Sequence, residues 1–503
     1  MRKSKVAHLP SPTTLRAYTG KSTGEVGLTT LVEQRLRMEA SRLSPLEKIG
    51  SLQVDETTIK QKKKYVRNLG SFVGRVDMGG IPRSPHDKNR LANKVLAFVF
   101  SGLNTRYKIC IAIYLVNNLT AEQQKEITEY VIRRLEEIGY TVLRLVTDNL
   151  TTNVKMFKEM NGGVLHPVVP HPVQPTVISK SPMILRPLFL SFDPVHGIKN
   201  VRNQFRDRIL MVRGKKVSFE LIEKIYHLDR KKIARAVRFL TQQHVTPNNL
   251  QRQRVKPALD VFRPEVKAAI VMHHENKEDG FEDVEGTVEF LEHIHKWFAL
   301  HDISNTTECV RKRMPNKIPF TSPNDPGLLW LENDFLEYLK WNEELYQKAD
   351  AIPKTKGSFE QRRAIQKQAL TKETYEALRF TTVSTVSAVR YLLDLGFAFV
   401  LTRKFSSDDI EMFFGAVRQM MGGNFQGDAQ NFITSWERIL RTGIAYNSIS
   451  SNVILHRETQ KDYELVRAKT ITKKRAKNEL IFLPSSFLLV LNELLAAPGN
   501  NSC

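Results

Sequence analysis

The sequence predicts an α/β fold interrupted by a large, mainly α-helical insertion. Three observations lead there. Between residues 51 and 195, short apolar runs rich in Val, Ile and Phe surround one strongly amphipathic helix. From 196 to 380 the pattern turns helical and acids become more frequent. From 381 to 445 the helix–strand–helix pattern resumes, as if one α/β domain were split in two.

Taken in order, residues 1–50 are basic and mostly helical in pattern, with SPTTLRAYTG followed by LTTLVEQRLRMEASRL. IGSLQVDETTI reads as a strand with Asp55 near its end, and SFVGRVDMGG, KVLAFVFSGL and KICIAIYLVNN continue as strands. TAEQQKEITEYVIRRLEEIG is a helix: Thr120 and Gln123 form a capping box, Ile127, Val131, Leu135 and Ile138 form one apolar stripe, and Gly139 ends it. YTVLRLVTD is a buried strand ending at Asp148, and TNVKMFKEM opens another helix. A proline-rich connector, HPVVPHPVQPTVISKSP, leads into the strand MILRPLFLSFD. Within 196–380, FELIEKIYHL, KKIARAVRFL, GTVEFLEHIHKWFAL and LLWLENDFLEYLKWNEELYQ read as helices. STVSAVRYLLDLG is then a helix, FAFVLT a strand and DDIEMFFGAVRQMM a helix, before a basic tail over 446–503.

The 503 residues carry 76 Lys and Arg against 53 Asp and Glu, a net charge of +23 spread along the chain. That excess favours a polyanionic partner, nucleic acid before membrane. Cys110, Cys309 and Cys503 are too few for a disulfide framework and too far apart for a zinc finger or ribbon, which fits a reducing compartment. The N-terminus lacks the apolar core of a signal peptide, and FLPSSFLLVLNELLAAP is too short and broken to span a bilayer. The run TKKRAK reads either as a nuclear import patch or as a solvated charge run. No GxxxxGK[ST] loop is present, which excludes a P-loop NTPase.

In open α/β sheets, sites gather beyond the carboxyl ends of strands, where Asp148 and Asp55 stand. The stretch FSSDDIEMFFGAVRQMMGGNFQG adds Asp408, Asp409 and Glu411 in one helical turn of a basic protein. Ser407 is a fair N-cap, and the two aspartates suit the first turn by complementing the helix dipole. Ile410, Phe413, Phe414, Val417 and Met421 form the buried side, while Glu411 shares a face with Asp408, Gly415 and Arg418. Dipole complementation does not require Glu411. In DPVHGIKNVRNQ, His196, Lys199 and Arg202 or Asn203 share a helical face, either a solvated basic side or a phosphate-contacting one. Asp193 suits a helix cap better than a metal ligand.

VDETTI, VTDNLTTNVKMF, SFDPVHGIKNVRNQF, VLTRKFSSDDIEMFFGAVRQMMG and NFITSWERILRTGI follow one another in an order and spacing that resembles the P element family of DNA transposases, with their THAP-type relatives, over residues 8 to 445. The resemblance implies an RNase H-like catalytic core interrupted by a helical GTP-binding domain. The expected divisions are a basic N-terminal segment (1–50, with LPSPTTLRAY similar to a helix-turn-helix remnant), core (51–195), insertion (196–380), core (381–445) and tail (446–503). It implies Asp55, Asp148 and Glu411 as the catalytic, metal-binding acids. Phosphoryl transfer on DNA uses two ions about 4 Å apart, and Mg²⁺ or Mn²⁺ favours the carboxylate oxygens these residues supply.

On the phosphate-contacting reading of their helix, His196, Lys199 and Arg202 are DNA contacts; the resemblance implies Asp302 and Asn305 in LHDISN as guanine- or ribose-side contacts for GTP, and Arg254 and Lys256 as phosphate contacts. His301 stands where the family usually has phenylalanine. The Cys-x-x-Cys … Cys-x-x-His set of a THAP zinc module is not found before Cys110. The expectation is a DNA transposase core that cleaves and joins strands with Mg²⁺ and GTP, acting in the nucleus on transposon ends and target DNA as a homo-oligomer, with no membrane partner. The alternatives are a domesticated, non-catalytic DNA- and nucleotide-binding protein, and a metal-dependent nuclease without joining activity.

Overall fold

The structure, a computed structural model, describes Ser11, Thr13, Thr14 and residues 22–82, 89–174, 186–311, 313–353, 358–423 and 427–442. Most of LPSPTTLRAY, TKKRAK and the whole 446–503 tail lie outside the described residues. The main sheet contains β1 (Ile49–Thr58), β2 (Lys94–Gly102), β3 (Lys108–Val116), β4 (Thr141–Thr147), β5 (Val168–Pro170) and β6 (Pro187–Phe192). Their order is β3-β2-β1-β4-β6-β5. β1, β2 and β3 are antiparallel neighbours, β4 runs parallel to β1, β6 parallel to β4, and β5 closes the edge antiparallel to β6.

Helices of eight residues or more are numbered in chain order. The first three are α1 (Thr30–Ala40), α2 (Ala121–Ile138) and α3 (Thr151–Glu159), and they pack together, with α2 against β4. α2 starts and stops where its chemistry dictates: Thr120 and Gln123 satisfy each other's amides, and Gly139 takes φ 105° at the C-cap. α4 (Pro194–Asp207), α5 (Glu220–Asp229), α6 (Pro264–Glu275), α7 (Glu285–His301), α8 (Trp341–Asp350) and α9 (Ser358–Gln366) form the helical block. α10 (Lys372–Asp394), α11 (Asp408–Met420) and α12 (Ala429–Thr442) return to the sheet.

Two hydrophobic cores result, one around the sheet and one within the helical block. α10 belongs to both: Ala377 and Phe380 join the sheet core, and Leu378, Val386, Val389 and Leu392 join the other. The expected boundary at residue 380 therefore falls inside a single helix. Phe380 stacks against Phe192 and Phe157, with centroids 4.9 and 5.8 Å away. Arg144, buried on β4, donates to Ser384 O and Oγ (3.3 and 3.1 Å) and to Thr385 Oγ1 (3.2 Å), tying helix to sheet.

Two expected elements differ. KKIARAVRFL is not a helix, because the buried Asp229 carboxylate accepts the amides of Ala236 (3.1 Å) and Val237 (2.8 Å) and turns the chain back. FAFVLT is not a sheet strand: Phe397, Phe399, Val400 and Leu401 are buried in the helical core, and Val400 makes one bridge, to Phe320. No helix of the described residues is long and apolar enough to cross a membrane.

Candidate active site

Register brings the acids together. Gln53 pairs with Val146 across the parallel β1–β4 ladder, so Asp55 and Asp148, each two residues further on, stand level. Thr147 pairs with Phe192 across β4–β6, which sets Asp148 level with Asp193, each one residue further on. Side chains level across a parallel ladder point to the same face, so the carboxyl ends of three adjacent strands offer a row of three carboxylates.

Each is held differently. Asp55 accepts from the Glu56 amide (2.7 Å). Burial first, then the charges of Asp148 and Glu411, push its carboxyl up to about 7, against the lowering influence of the Glu56 amide and His196. Asp148 accepts from Asn153 Nδ2 (2.6 Å) and the Leu150 amide (3.2 Å), which fixes its orientation from the first turn of α3. Asp193 is the buried N-cap of α4: one oxygen accepts from the His196 amide (3.1 Å), the other from the Ser407 amide (3.2 Å).

The acid triplet of α11 divides by burial. Asp408 is buried against Arg403 (2.9 Å). Asp409 is buried too, accepting from Ser101 Oγ (2.6 Å) and pairing with Lys108 (3.3 Å). Ser407 makes no side-chain cap bond; instead the Ile410 amide donates to Gln53 Oε1 (2.9 Å) on β1. Glu411 alone stays accessible, its side chain 33 % exposed with Oε1 3.5 Å from His196 Nε2. Burial raises the Glu411 carboxyl, but the His196 hydrogen bond and the charges of His196, Lys199 and Arg418 outweigh it, and the net shift is downward. Burial lowers His196, but the bond to Glu411 and the charges of Asp193 and Glu411 together outweigh burial and Lys199, and the net shift is upward.

Ligand atoms of Asp193, His196 and Glu411 all lie within 4.8 Å of one another. Asp55, Asp148 and Glu411 are not gathered as tightly among the described residues, but their donors are the carboxylate oxygens a hard divalent cation takes, and burial together with the charges of Asp148 and Glu411 raises the Asp55 carboxyl where no cation is beside it.

The other expected contacts are scattered. Lys199 is buried and directs its charge at Glu411 and His196. Arg202 is fully buried and donates to Arg252 O (3.1 Å), which removes it from any surface DNA can reach. Its position on one helical face was readable, but not that the face packs inward. Asp302, in the loop after α7, is already ion-paired with Lys317 and Arg403, both at 2.5 Å. Asn305 makes local bonds to Ser304 Oγ (3.0 Å) and the Thr307 amide (3.2 Å). Arg254 and Lys256 are exposed at the short helix Val255–Asp260. The His301 ring is buried beside Trp297 (4.6 Å between centroids), so it offers no face to a base.

Arg403 and Asn153 were not singled out in the sequence. TTN beside the strand-end acid was a signal for Asn153. Arg403 bridges Asp302 and Asp408, and nothing in its local sequence announces that.

A mixed sheet with acids at its strand ends, interrupted by a helical domain and resumed by α10 to α12, is the architecture of an RNase H-like domain that carries an insertion. Residues 24–161 match the family described as TNP-like, RNase H N-terminal domain, and 195–317 match the TNP-like, GTP-binding insertion domain. The chain is 23 % identical over 297 residues to the Transposable element P transposase of Drosophila melanogaster, covering 59 % of this chain and 34 % of that protein. It is 23 % identical over 314 residues to the human DNA transposase THAP9, covering 61 % and 33 %. It spans about a third of the length of these relatives. The solved Drosophila P element transposase strand transfer complex shares the fold, with TM-score 0.64 and 20 % identity over 88 % of this chain and 86 % of that one. The chain thus carries the TNP-like RNase H N-terminal and GTP-binding insertion domains and is a homologue of P element-type transposases.

Proposed function

We propose that this chain is the catalytic core of a DNA transposase, cleaving DNA strands and joining them to a target by in-line displacement at phosphorus. The observation that supports the reading is the level placement of Asp55 and Asp148 at the carboxyl ends of neighbouring strands, with Glu411 of α11 near enough for its charge to act on Asp55. These three carboxylates would hold Mg²⁺ or Mn²⁺. Bound divalent ions supply activation of the attacking hydroxyl and stabilisation of the leaving oxygen.

The chain's own groups set the stage. Asn153 and the Leu150 amide aim Asp148. Asp193, gripping both the start of α4 and the Ser407 amide, fixes the height of Glu411 above the strand ends. His196 and Lys199 place positive charge beside Glu411, where a scissile phosphate would add negative charge. GTP would bind in the helical insertion as a positioning cofactor, an assignment supported by the family match over 195–317. Transposon ends, target DNA, a homo-oligomeric state and the nucleus complete the proposal.

Supercoiled plasmid incubated with Mg²⁺ or Mn²⁺ tests it, comparing wild type with Glu411→Gln. Nicked or joined product that disappears with Glu411→Gln supports the reading. Salt-sensitive DNA binding with no metal-dependent product from either protein favours a non-catalytic binding protein, and cleavage without joining favours a nuclease.

A further inference from the structure

Burial of Lys199 and Arg202 leaves open which surface meets DNA, and the hairpin that follows β1 answers it. It pairs Lys64–Val66 with Ser71–Val73, in the register Lys64↔Val73, Tyr65↔Phe72 and Val66↔Ser71. Alternation sorts its faces. Val66 and Val73 are buried in the sheet core, while Tyr65 and Phe72, paired across the strands, are 52 % and 55 % exposed. Their rings meet edge to face at 5.2 Å, and Lys63 Nζ stands 4.0 Å from the Phe72 centroid.

The surroundings are cationic. From Thr57 to Val76 the chain has Lys60, Lys62, Lys63, Lys64, Arg67 and Arg75 and not one acid. Lys60, Lys62, Lys63, Lys64 and Arg67 are exposed, and none pairs with a carboxylate of the described residues.

The platform is braced. The Lys60 amide donates to Gly427 O (3.0 Å) and the Ala92 amide to Gly74 O (3.0 Å). Gly74, at φ 114°, lies so close to Lys62 O that an added Cβ would stand 2.0 Å from it. Exposed aromatic faces fixed among unpaired cations are the chemistry that receives a nucleic-acid strand with unstacked bases. An apolar protein partner would leave the cations unmatched, and an acidic one would leave the rings unused.

We propose that this hairpin binds single-stranded DNA, stacking an unpaired base on Tyr65 and Phe72 while Lys62, Lys63, Lys64 and Arg67 hold the adjoining phosphates. The proposal rests on the DNA reading above and deepens it. Asp55 lies on the same strand that leads into the hairpin, so the unpaired bases would belong to DNA opened near the acids.

The test measures binding of the full chain, in the absence of divalent metal, to a fluorescently labelled single strand and to a blunt duplex of the same sequence. Tyr65→Ala with Phe72→Ala should weaken single-strand binding roughly tenfold or more while changing duplex binding about twofold or less. Tyr65→Phe and Phe72→Tyr should restore the single-strand affinity. Lys62→Gln, Lys63→Gln and Lys64→Gln together should reduce the single-strand salt slope by about 2. A fluorescent adenine analogue in the strand should be quenched by wild type and not by the double alanine variant.

If wild type binds DNA and the folded double alanine variant binds single strands equally well, the hairpin proposal fails and the DNA reading stands. Equal loss on duplex and single strand makes the hairpin a backbone clamp and overturns the stacking. No binding to either form by wild type overturns both readings.

Discussion

Conversion of each carboxylate at the start of α11 to its amide separates structural acids from the reacting one. Asp409 accepts a 2.6 Å bond from Ser101 inside the sheet core and pairs at 3.3 Å with Lys108, whose side chain is one-third exposed. A buried charge-assisted hydrogen bond contributes roughly 1.5–3 kcal/mol, and the partly solvated pair adds only about 0.2–1 kcal/mol. Asp409→Asn should therefore cost about 2–3 kcal/mol, since its amide hydrogens would also face the Lys108 ammonium. Asp408→Asn breaks a pair in which both side chains are 7 % exposed, so its loss should reach about 3–5 kcal/mol. Glu411 has 33 % side-chain exposure and one marginal contact at 3.5 Å, so Glu411→Gln should change stability by about 1 kcal/mol or less. Urea titration followed by circular dichroism measures all three. If Glu411→Gln destabilises as much as Asp409→Asn, Glu411 is a bracing residue and the assignment of the site collapses.

Burial holds the His301 imidazole down to about 4, so its proton binds more tightly in the unfolded chain, near 6.5. Its stability contribution is intact above pH 6.5 and falls away as pH drops toward 4, with about 2 kcal/mol lost by pH 5. His301→Phe should remove that share of the difference between urea titrations at pH 7.5 and 5, and parallel pH dependences would refute it. Arg403 joins Asp302 to Asp408, so Arg403→Met and Asp302→Asn should be coupled by about 1–3 kcal/mol in a double-mutant cycle, and additive effects would break the link. GTP at a hundredfold excess over its Kd should stabilise the protein by about 2.7 kcal/mol. Asn305→Ala should abolish that gain without the ion-pair loss that Asp302→Ala would bring, and an unchanged gain would remove Asn305 from the nucleotide site.

What was legible in the sequence was local. The capping box and glycine stop of α2, the strand that runs up to Asp148, and the interruption of an α/β pattern by helices each depend on residues a few positions apart. KKIARAVRFL misled because its helical spacing is real, yet the Asp229 carboxylate just before it claims two of its amides. The start of α11 shows the deeper limit. Asp408, Asp409 and Glu411 share a turn, a charge and a dipole, and no local rule gives them different roles. Ser101, 308 residues earlier, turns Asp409 into a brace. Arg403, fixed against Asp302 from the helical insertion, does the same for Asp408. Glu411 is left facing His196 and the strand-end acids because partners from elsewhere in the chain have claimed its two neighbours. Spacing can sort the faces of a helix, but the fold decides which carboxylate is free to react, because only the fold brings the competing cations and hydroxyls within reach.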